Sequence, residues 1–321
     1  MKVFISALLL LFATLVQAAE LKLATFNAEF LTRPKVHVKF GVRLDMSDLT
    51  PQQRQQWDQA AYRNGKFAEA AAAVATVIAA INADVIALTE VGNEQDVAEL
   101  RAAVAALGVA YNHMAVCECT DNQTQQHVAI LSKHPLADVQ KSIPGRKTYL
   151  TELDDPEAED ETGISKGIVA TFSAANQTFH LYVIHLVSER EGFEKDQQRI
   201  AQASIVRRHY LQKLSMGGHV IVAGDLNAHR GQPALRRIQG HDDIGPDLIQ
   251  TGNRDFFDLA ERGSRWTYEY DGVRTQIDHI LLSSSIKAAA RRTNGIKTRV
   301  PDQTNPRASD HRPVVVTLDF P

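Results

Sequence analysis

The chain is built from short apolar runs that stop abruptly at polar residues, separated by longer segments with a helical repeat. The clearest run is Val220–Ala223, which breaks at Gly224 into Asp225, Leu226 and Asn227. An unbroken apolar run suits a strand buried on both faces. Residues two apart on an extended chain point the same way. Asp225 and Asn227 are therefore expected side by side at the strand's C-terminal end. A carboxylate there can orient and deprotonate a water, and an amide can donate to a phosphoryl oxygen. The competing reading is a strand that simply closes in an Asx-type turn.

The same design recurs. Leu21–Phe26 reads as a strand ending in Asn27-Ala28-Glu29, and Asp84–Val91 as a buried strand carrying Glu90 at its end. Val128–Leu131, Gly167–Phe172 and Thr178–Leu186 follow, the last ending at His185. Trp266-Thr267-Tyr268 is expected to pair with Gln276–Leu282, which contains Asp278, and Val314–Leu318 closes the chain after Asp310-His311. Thr50-Pro51 opens a helix with a capping hydroxyl followed by proline. Asn64 is the expected cap of a longer helix whose Phe67, Ala70, Ala71, Val74, Val77, Ile78 and Ile81 form one apolar face. Glu94–Leu107 and Phe193–Leu214 read as further helices, and the helix-to-strand order suggests βαβ-like units.

Before these elements, Lys2 precedes an almost wholly apolar stretch from Val3 to Val16, ending in Val16-Gln17-Ala18. This is the pattern of an export signal cut after Ala18 or Ala19. The expectation is a leader over residues 1–19 and one domain over 20–321, periplasmic or secreted, with no stable membrane anchor once the leader is removed. About 300 residues can bury a large core, and no repeat, low-complexity tract or linker divides them.

Charge narrows the partners. The formal net charge is −3, or −4 without Lys2, which argues against a broad electrostatic grip on nucleic acid. Glu152–Glu161 holds seven carboxylates and reads as a solvated loop. Cys117 and Cys119 sit in an exported chain, where thiols tend to pair. An i,i+2 bridge closes a small ring, so free thiols, an internal bridge and an intermolecular bridge all stay open.

Polar and ionisable groups thus stand at strand ends throughout the chain: Asn27, Glu90, His185, Asp225 with Asn227, and Asp278, with Asp310-His311 before the last strand. Carboxylates beside buried strands are costly unless paired or metal-bound. Oxygen donors from Asn27, Glu90 and Asp310 suit a hard ion such as Mg2+. Asp278 could orient His311, and such a pair suits stabilising or protonating a charged oxygen.

Thr25-Phe26-Asn27, Leu88-Thr89-Glu90-Val91, His185-Leu186, Gly224-Asp225-Leu226-Asn227, Ile277-Asp278-His279-Ile280-Leu281 and Ser309-Asp310-His311-Arg312-Pro313 together resemble the endonuclease/exonuclease/phosphatase superfamily of deoxyribonuclease I-like fold. The motifs occur in that family's order and cover about residues 21–320. The resemblance implies a four-layered α/β sandwich, with two mixed β-sheets packed face to face and helices outside. It implies metal-dependent hydrolysis of a phosphate ester with Mg2+, or Mn2+ or Ca2+. Asn27 and Glu90 would bind the metal, with Asp310 in or near its shell. Asp225 would activate water, Asn227 hold a phosphoryl oxygen, and His311, aligned by Asp278, stabilise or protonate developing charge. His185 would contact phosphate or assist the leaving group.

Other polar residues read more simply. His279 adjoins Asp278 and should point to the opposite face. Glu29 and His229 could edge the site, and Arg63 and Lys66 more naturally cover a helix. The basic segment 287–299 reads as a surface loop, and His134 and His180 as structural or exposed. The leading reading is a nuclease acting on DNA or RNA. The alternatives are a sphingomyelinase-like phospholipid phosphodiesterase or small-molecule phosphatase, and a non-enzymatic module that keeps the fold.

Overall fold

The computed structural model describes residues 19–189, 192–240, 256–258, 266–290, 295–303 and 305–321. The leader expected over 1–19 therefore lies almost wholly outside the described residues. In chain order the strands are β1 (Ala19–Leu31), β2 (Val85–Val91), β3 (His113–Val116), β4 (His127–Ser132), β5 (Leu136–Gln140), β6 (Lys147–Leu150), β7 (Glu159–Thr162) and β8 (Gly167–Ala174). They continue with β9 (Gln177–His185), β10 (His219–Asp225), β11 (Phe256–Asp258), β12 (Tyr268–Tyr270), β13 (Val273–Thr275), β14 (Asp278–Ser283), β15 (Ile296–Arg299) and β16 (Val314–Phe320). The helices are α1 (Pro51–Asp58), α2 (Ala60–Ile81), α3 (Glu94–Ala106), α4 (Phe193–Ser215), α5 (Pro233–Gln239) and α6 (Ser284–Ala289).

Two six-stranded sheets form the body, ordered β15-β16-β1-β2-β4-β3 and β11-β14-β10-β9-β8-β5. Both are mixed: β1 runs parallel to β2 and antiparallel to β16, and β10 runs parallel to β9 and antiparallel to β14. The alternation of each strand dictates the layers. Leu21, Leu23, Val85, Ala87, Leu181, Val183, Ile221, Ala223, Ile280 and Leu282 fill the core between the sheets. Their neighbours Ala24, Phe26, Ile86 and Leu88 face outward onto α2 and α3. On the other side Tyr182, Ile184, Val220, Val222 and Leu281 meet α4 and α5. The result is the α/β/β/α sandwich that the resemblance implies.

Helix α2 is long and apolar enough by composition to span a bilayer. Its Phe67, Ala70, Val74 and Ile78 are buried in the layer against the first sheet, so it serves as a core helix.

Three expectations change. Helix α2 starts at Ala60, four residues before Asn64, because α1 ends at Asp58 and Gln59 alone separates the two. Tyr268–Tyr270 pairs with Val273–Thr275 in a separate hairpin, not with the Asp278 strand, which instead lies between β10 and β11. The basic segment 287–299 is partly ordered: α6 includes Lys287, and Lys297 and Arg299 belong to β15. Its residues 291–294 lie outside the described residues. Cys117 and Cys119 are joined in a disulfide, with Cα atoms 5.2 Å apart.

Candidate active site

Strand parity carries the predicted residues to one edge of the sandwich. Asn27 continues the inward-facing series Leu21, Leu23, Thr25, and Asp225 continues Ile221 and Ala223. In the second sheet Asp225 is in register with His185 on one side and Asp278 on the other. Asn27, from the first sheet, closes the gap: its Nδ2 donates to Glu90 Oε1 at 3.0 Å and to Asp225 Oδ2 at 2.9 Å.

Glu90 arrives by a different route. By alternation it should face the helices. The ladders from β2 to β1 and to β4 both shift register around it, and its φ is +57°. A bulge re-aims a side chain in this way. Its carboxylate accepts from Asn27, from Phe30 N at 3.0 Å and from Gln126 Nε2 at 2.6 Å. Glu29 and Phe30, which form that turn, also have left-handed backbones, each with φ +45°. Such conformations cost of order 1–3 kcal/mol each and cluster at functional sites.

Gly224 is required where it stands. With φ +133°, an added Cβ would lie 2.0 Å from Ile184 O. Only glycine lets β10 approach β9 this closely just before Asp225. Past the strand, Asn227 turns left-handed (φ +45°), gives its backbone N–H to Asp225 Oδ1 at 2.9 Å and one amide hydrogen to Leu186 O. A primary amide has two hydrogens, so one remains.

Beside Asp225, with ligand atoms of all three residues within 4.8 Å of one another, His311 Nδ1 lies 2.7 Å from Asp278 Oδ2. The backbone N–H groups of Ile277 and Asp278 both donate to Thr267 Oγ1, and Ser309 Oγ ties the His311 loop to Asn27 O. His311 is also stacked on Tyr268, ring centroids 4.6 Å apart. Burial alone would lower the His311 pKa, but the carboxylates of Asp278, Asp225 and Asp310 and the bond to Asp278 raise it to about 10. The ring is an imidazolium at neutral pH, with Nε2–H left for a ligand. Burial first, then the Asp278 charge, push Asp225 up to about 7, against the pull of His311. His185 is held well below 6.5 by burial, then by Lys166 and His311, and is neutral. Its Nε2 stands 3.9 Å from Glu90 and 3.8 Å from Asp225, too far for a direct hydrogen bond.

Glu90, His185, Asp225, Asn227, Asp310 and His311 line one cavity of about 610 Å³, whereas Asn27 and Asp278 do not. Asn27 lies just beneath the Glu90 and Asp225 carboxylates, and Asp278 behind His311. Asp310 is on the rim, its side chain 44% exposed, 3.8 Å from His311 Nε2. His279 points the other way and bonds Ala228 O at 2.9 Å. Of the remaining candidates, Glu29 lines the cavity while Arg63 and Lys66 do not. His229 is exposed and bonds Gln232 and Arg230. Sequence reasoning missed Lys39, Gln126, Lys166, Thr267 and Tyr268. Lys166 lines the cavity and bonds Gln126 and Asp121, each at 3.2 Å. Buried Lys39 bonds the carbonyls of Ala28, Glu29 and Ala308. Burial lowers its pKa, and it partly offsets the burial that pushes Glu29 up to about 7.

The lining fits a divalent cation. Six carboxylates, Glu29, Glu90, Glu189, Asp225, Asp271 and Asp310, face Lys166 and His311. Glu90, His185 and Asp225 offer three ligand atoms within 4.8 Å of one another. Among the described residues, buried Asp278 Oδ1 and His185 Nδ1 have no hydrogen-bond partner. Hard carboxylate oxygens are the donors that Mg2+, Mn2+ and Ca2+ prefer. Asn27 is the exception. Its Oδ1 accepts from Glu29 N at 2.8 Å, so its amide presents N–H groups, not an oxygen, to Glu90 and Asp225.

The sequence model of the Endonuclease/Exonuclease/phosphatase family matches residues 24–311. The chain belongs to this family. Its members are hydrolases of phosphoesters that use divalent metals. Comparison with curated protein sequences finds no similar one. Among solved structures, the family member is similar in fold to a Staphylococcus aureus beta toxin variant with bound magnesium ions: TM-score 0.57, 14% identity, 92% of this chain and 99% of that one. A family protein from Bacteroides thetaiotaomicron gives 0.54 at 13% identity, over 95% and 99% of the two chains. Truncated TDP2 from Caenorhabditis elegans gives 0.53 at 16% identity, over 94% and 98%.

Proposed function

We propose that this family member is an exported, divalent-metal-dependent phosphodiesterase, a nuclease whose substrate is DNA or RNA. One observation carries the reading: the Glu90–Asn27–Asp225 cluster and the Asp278–His311 pair meet at a single cavity, with ligand atoms of Asp225, Asp278 and His311 within 4.8 Å of one another. An anionic pocket repels a phosphodiester unless a cation intervenes. Glu90 would hold that ion, with Asp310 on the rim to complete its shell. When bound, Mg2+, or Mn2+ or Ca2+ in its place, offsets charge on the phosphoryl oxygens and lowers the basicity of the leaving oxygen.

The chain's own residues do the rest. Asp225 accepts a proton from the attacking water as its oxygen bonds phosphorus and the bond to the leaving oxygen breaks. The Asn27 amide and the Asn227 N–H fix both Asp225 oxygens, so the base is aimed before substrate arrives. His311 gives Nε2–H to a phosphoryl oxygen, and Asp278 keeps the ring charged and oriented. The free Asn227 hydrogen and Lys166 supply further positive edges. Neutral His185 stands beside Glu90 and Asp225 to contact the phosphate or the leaving oxygen. In this role Asn27 is a brace; it could offer its oxygen to the ion only by turning over and giving up the bond from Glu29.

The leader pattern supports export, and a disulfide fits an oxidising compartment. Among the described residues the large exposed apolar side chains are scattered, and only Tyr270 and Val273 flank the cavity. That favours nucleic acid over a bilayer substrate.

The test is to incubate the mature chain with Mg2+, Mn2+ or Ca2+ against plasmid DNA, RNA, sphingomyelin vesicles and bis(p-nitrophenyl) phosphate, with Asp225→Ala and His311→Ala alongside. Cleavage of nucleic acid that both variants lose is expected. Hydrolysis of sphingomyelin alone would replace the nuclease reading, and equal activity in the variants would remove the site.

A further inference from the structure

The β12–β13 hairpin stands at the mouth of the cavity and is not used by the chemistry above. Tyr268 and Tyr270, two residues apart on one strand, hold their rings nearly parallel, 11° apart with centroids separated by 6.4 Å. Tyr268 lies in turn on His311, at 4.6 Å and 29°. The three rings make a rail that begins at the catalytic imidazolium and ends at Tyr270, which is 61% exposed. Both tyrosines line the cavity, as do Val273 and Thr275 on the returning strand.

The rail is anchored. Tyr268 forms a backbone bridge with His311, Thr267 N bonds Thr275 O, and Arg312 N bonds Thr267 O. Arg312 also lies over Trp266, its guanidinium carbon 4.3 Å from the ring centroid. The hairpin is thus fixed to the loop that carries the catalytic histidine, and whatever it touches is held in register with the reacting phosphate.

We infer that Tyr268 and Tyr270 form a stacking subsite for an unpaired nucleobase on a nucleotide next to the scissile phosphate. The inference rests on the nuclease reading above and adds the form of the nucleic acid. A flat π-face beside the phosphate site is what a base can use whatever its sequence. In a duplex both faces of each base are already covered by its neighbours, so a base must be unstacked to reach the rail. The surrounding charge agrees. Glu189 and Asp271 line the same mouth and Glu269 sits on the hairpin, which disfavours the dense phosphates of a second strand.

A bilayer fits less well. The turn between the exposed Tyr270 and Val273 is Asp271-Gly272, and Glu269 is paired with Arg274 at 2.8 Å. Entering the headgroup region would strip water from Asp271 at the tip.

The experiment compares wild type, Tyr270→Ala and Tyr270→Phe on four substrates: a single-stranded oligonucleotide, its duplex, a single-stranded backbone of equal length with every base replaced by hydrogen, and sphingomyelin vesicles. Thermal melting checks that the variants fold. Wild type should prefer the single strand to the duplex and to the baseless backbone. In Tyr270→Ala, KM on the single strand should rise about tenfold, as expected for losing one base–aromatic stack, and the preference over the baseless backbone should collapse. Tyr270→Phe should keep it. No cleavage of any nucleic acid by wild type would overturn the nuclease reading and this inference with it. Cleavage of nucleic acid with the preference unchanged in Tyr270→Ala, or with duplex cut faster than single strand, would overturn the subsite alone. So would loss confined to vesicles, which would mark the hairpin as a lipid contact.

Discussion

The side-chain amide of Asn27 reaches across the sandwich and donates to Asp225, 198 residues away in the other sheet, while its second hydrogen goes to Glu90. One amide therefore links two carboxylates that would otherwise repel each other in a buried place. Removing it should do two kinds of damage. Asn27→Ala leaves buried acceptors unmatched and should lower stability by about 1–3 kcal/mol, read as a shifted denaturant midpoint. It should also lower kcat more than it raises KM, because Asp225 loses its aim. Full activity in Asn27→Ala would contradict the bracing role.

Metal binding should stabilise the fold through the same cluster. Mg2+ or Mn2+ at saturation is expected to raise the melting temperature, since a ligand that binds only the native state stabilises it by mass action. Glu90→Gln should lose that rise while melting near the metal-free wild type. Chelator should abolish hydrolysis, and added metal should restore it. A wild-type rise that survives intact in Glu90→Gln would place the ion elsewhere.

The His311 imidazolium should persist well above neutrality in the metal-free protein. Its pKa is raised to about 10 by carboxylates that outweigh the opposing effect of burial. A group raised on folding contributes stability that is fully present below its unfolded pKa, near 6.5, and is lost as pH rises through the folded value. The metal-free chain should therefore lose stability between about pH 6.5 and 10, and Asp278→Asn should flatten that slope. Imidazole 15N shifts would read the same pair: doubly protonated at pH 8 in wild type, neutral in Asp278→Asn.

Gly224→Ala should be among the most damaging single changes outside the catalytic groups. The added carbon meets the Ile184 carbonyl at 2.0 Å on a backbone with φ +133°. The loss should reach about 3 kcal/mol or more, measured by urea unfolding. A near-native midpoint would mean that β9 and β10 separate more easily than their pairing indicates.

How much of this was legible in the sequence follows from parity. Asn27, His185, Asp225 and Asp278 all continue the inward-facing series of their own strands, so runs such as Val220–Ala223 announce both the strand and the direction of its last polar residue. The same rule sent His279 to the opposite face, where it is found. Glu90 breaks the rule: its motif made it recognisable, but the bulge that turns it inward left no mark in the apolar pattern. Lys39 and Lys166 were illegible for another reason. Lys39 lies in a single 3-10 turn (Val38–Phe40) and Lys166 just before a strand. Their burial depends on carbonyls and carboxylates brought from distant segments, such as Ala308 and Asp121. The β12–β13 hairpin was misassigned because Thr267 and Gln276 sit where a longer strand pair would also fit; the turn at Asp271-Gly272 closes it early.

A divalent ion held on Glu90 beside the Asp225 base would show itself by anomalous scattering from crystals of residues 20–321 soaked in Mn2+. One strong peak is expected at coordination distance from the Glu90 carboxylate inside the cavity, absent in Glu90→Gln crystals that lose phosphodiester hydrolysis in parallel. An empty cavity at Mn2+ concentrations that support full hydrolysis, or a peak that leaves Glu90 untouched, would contradict it.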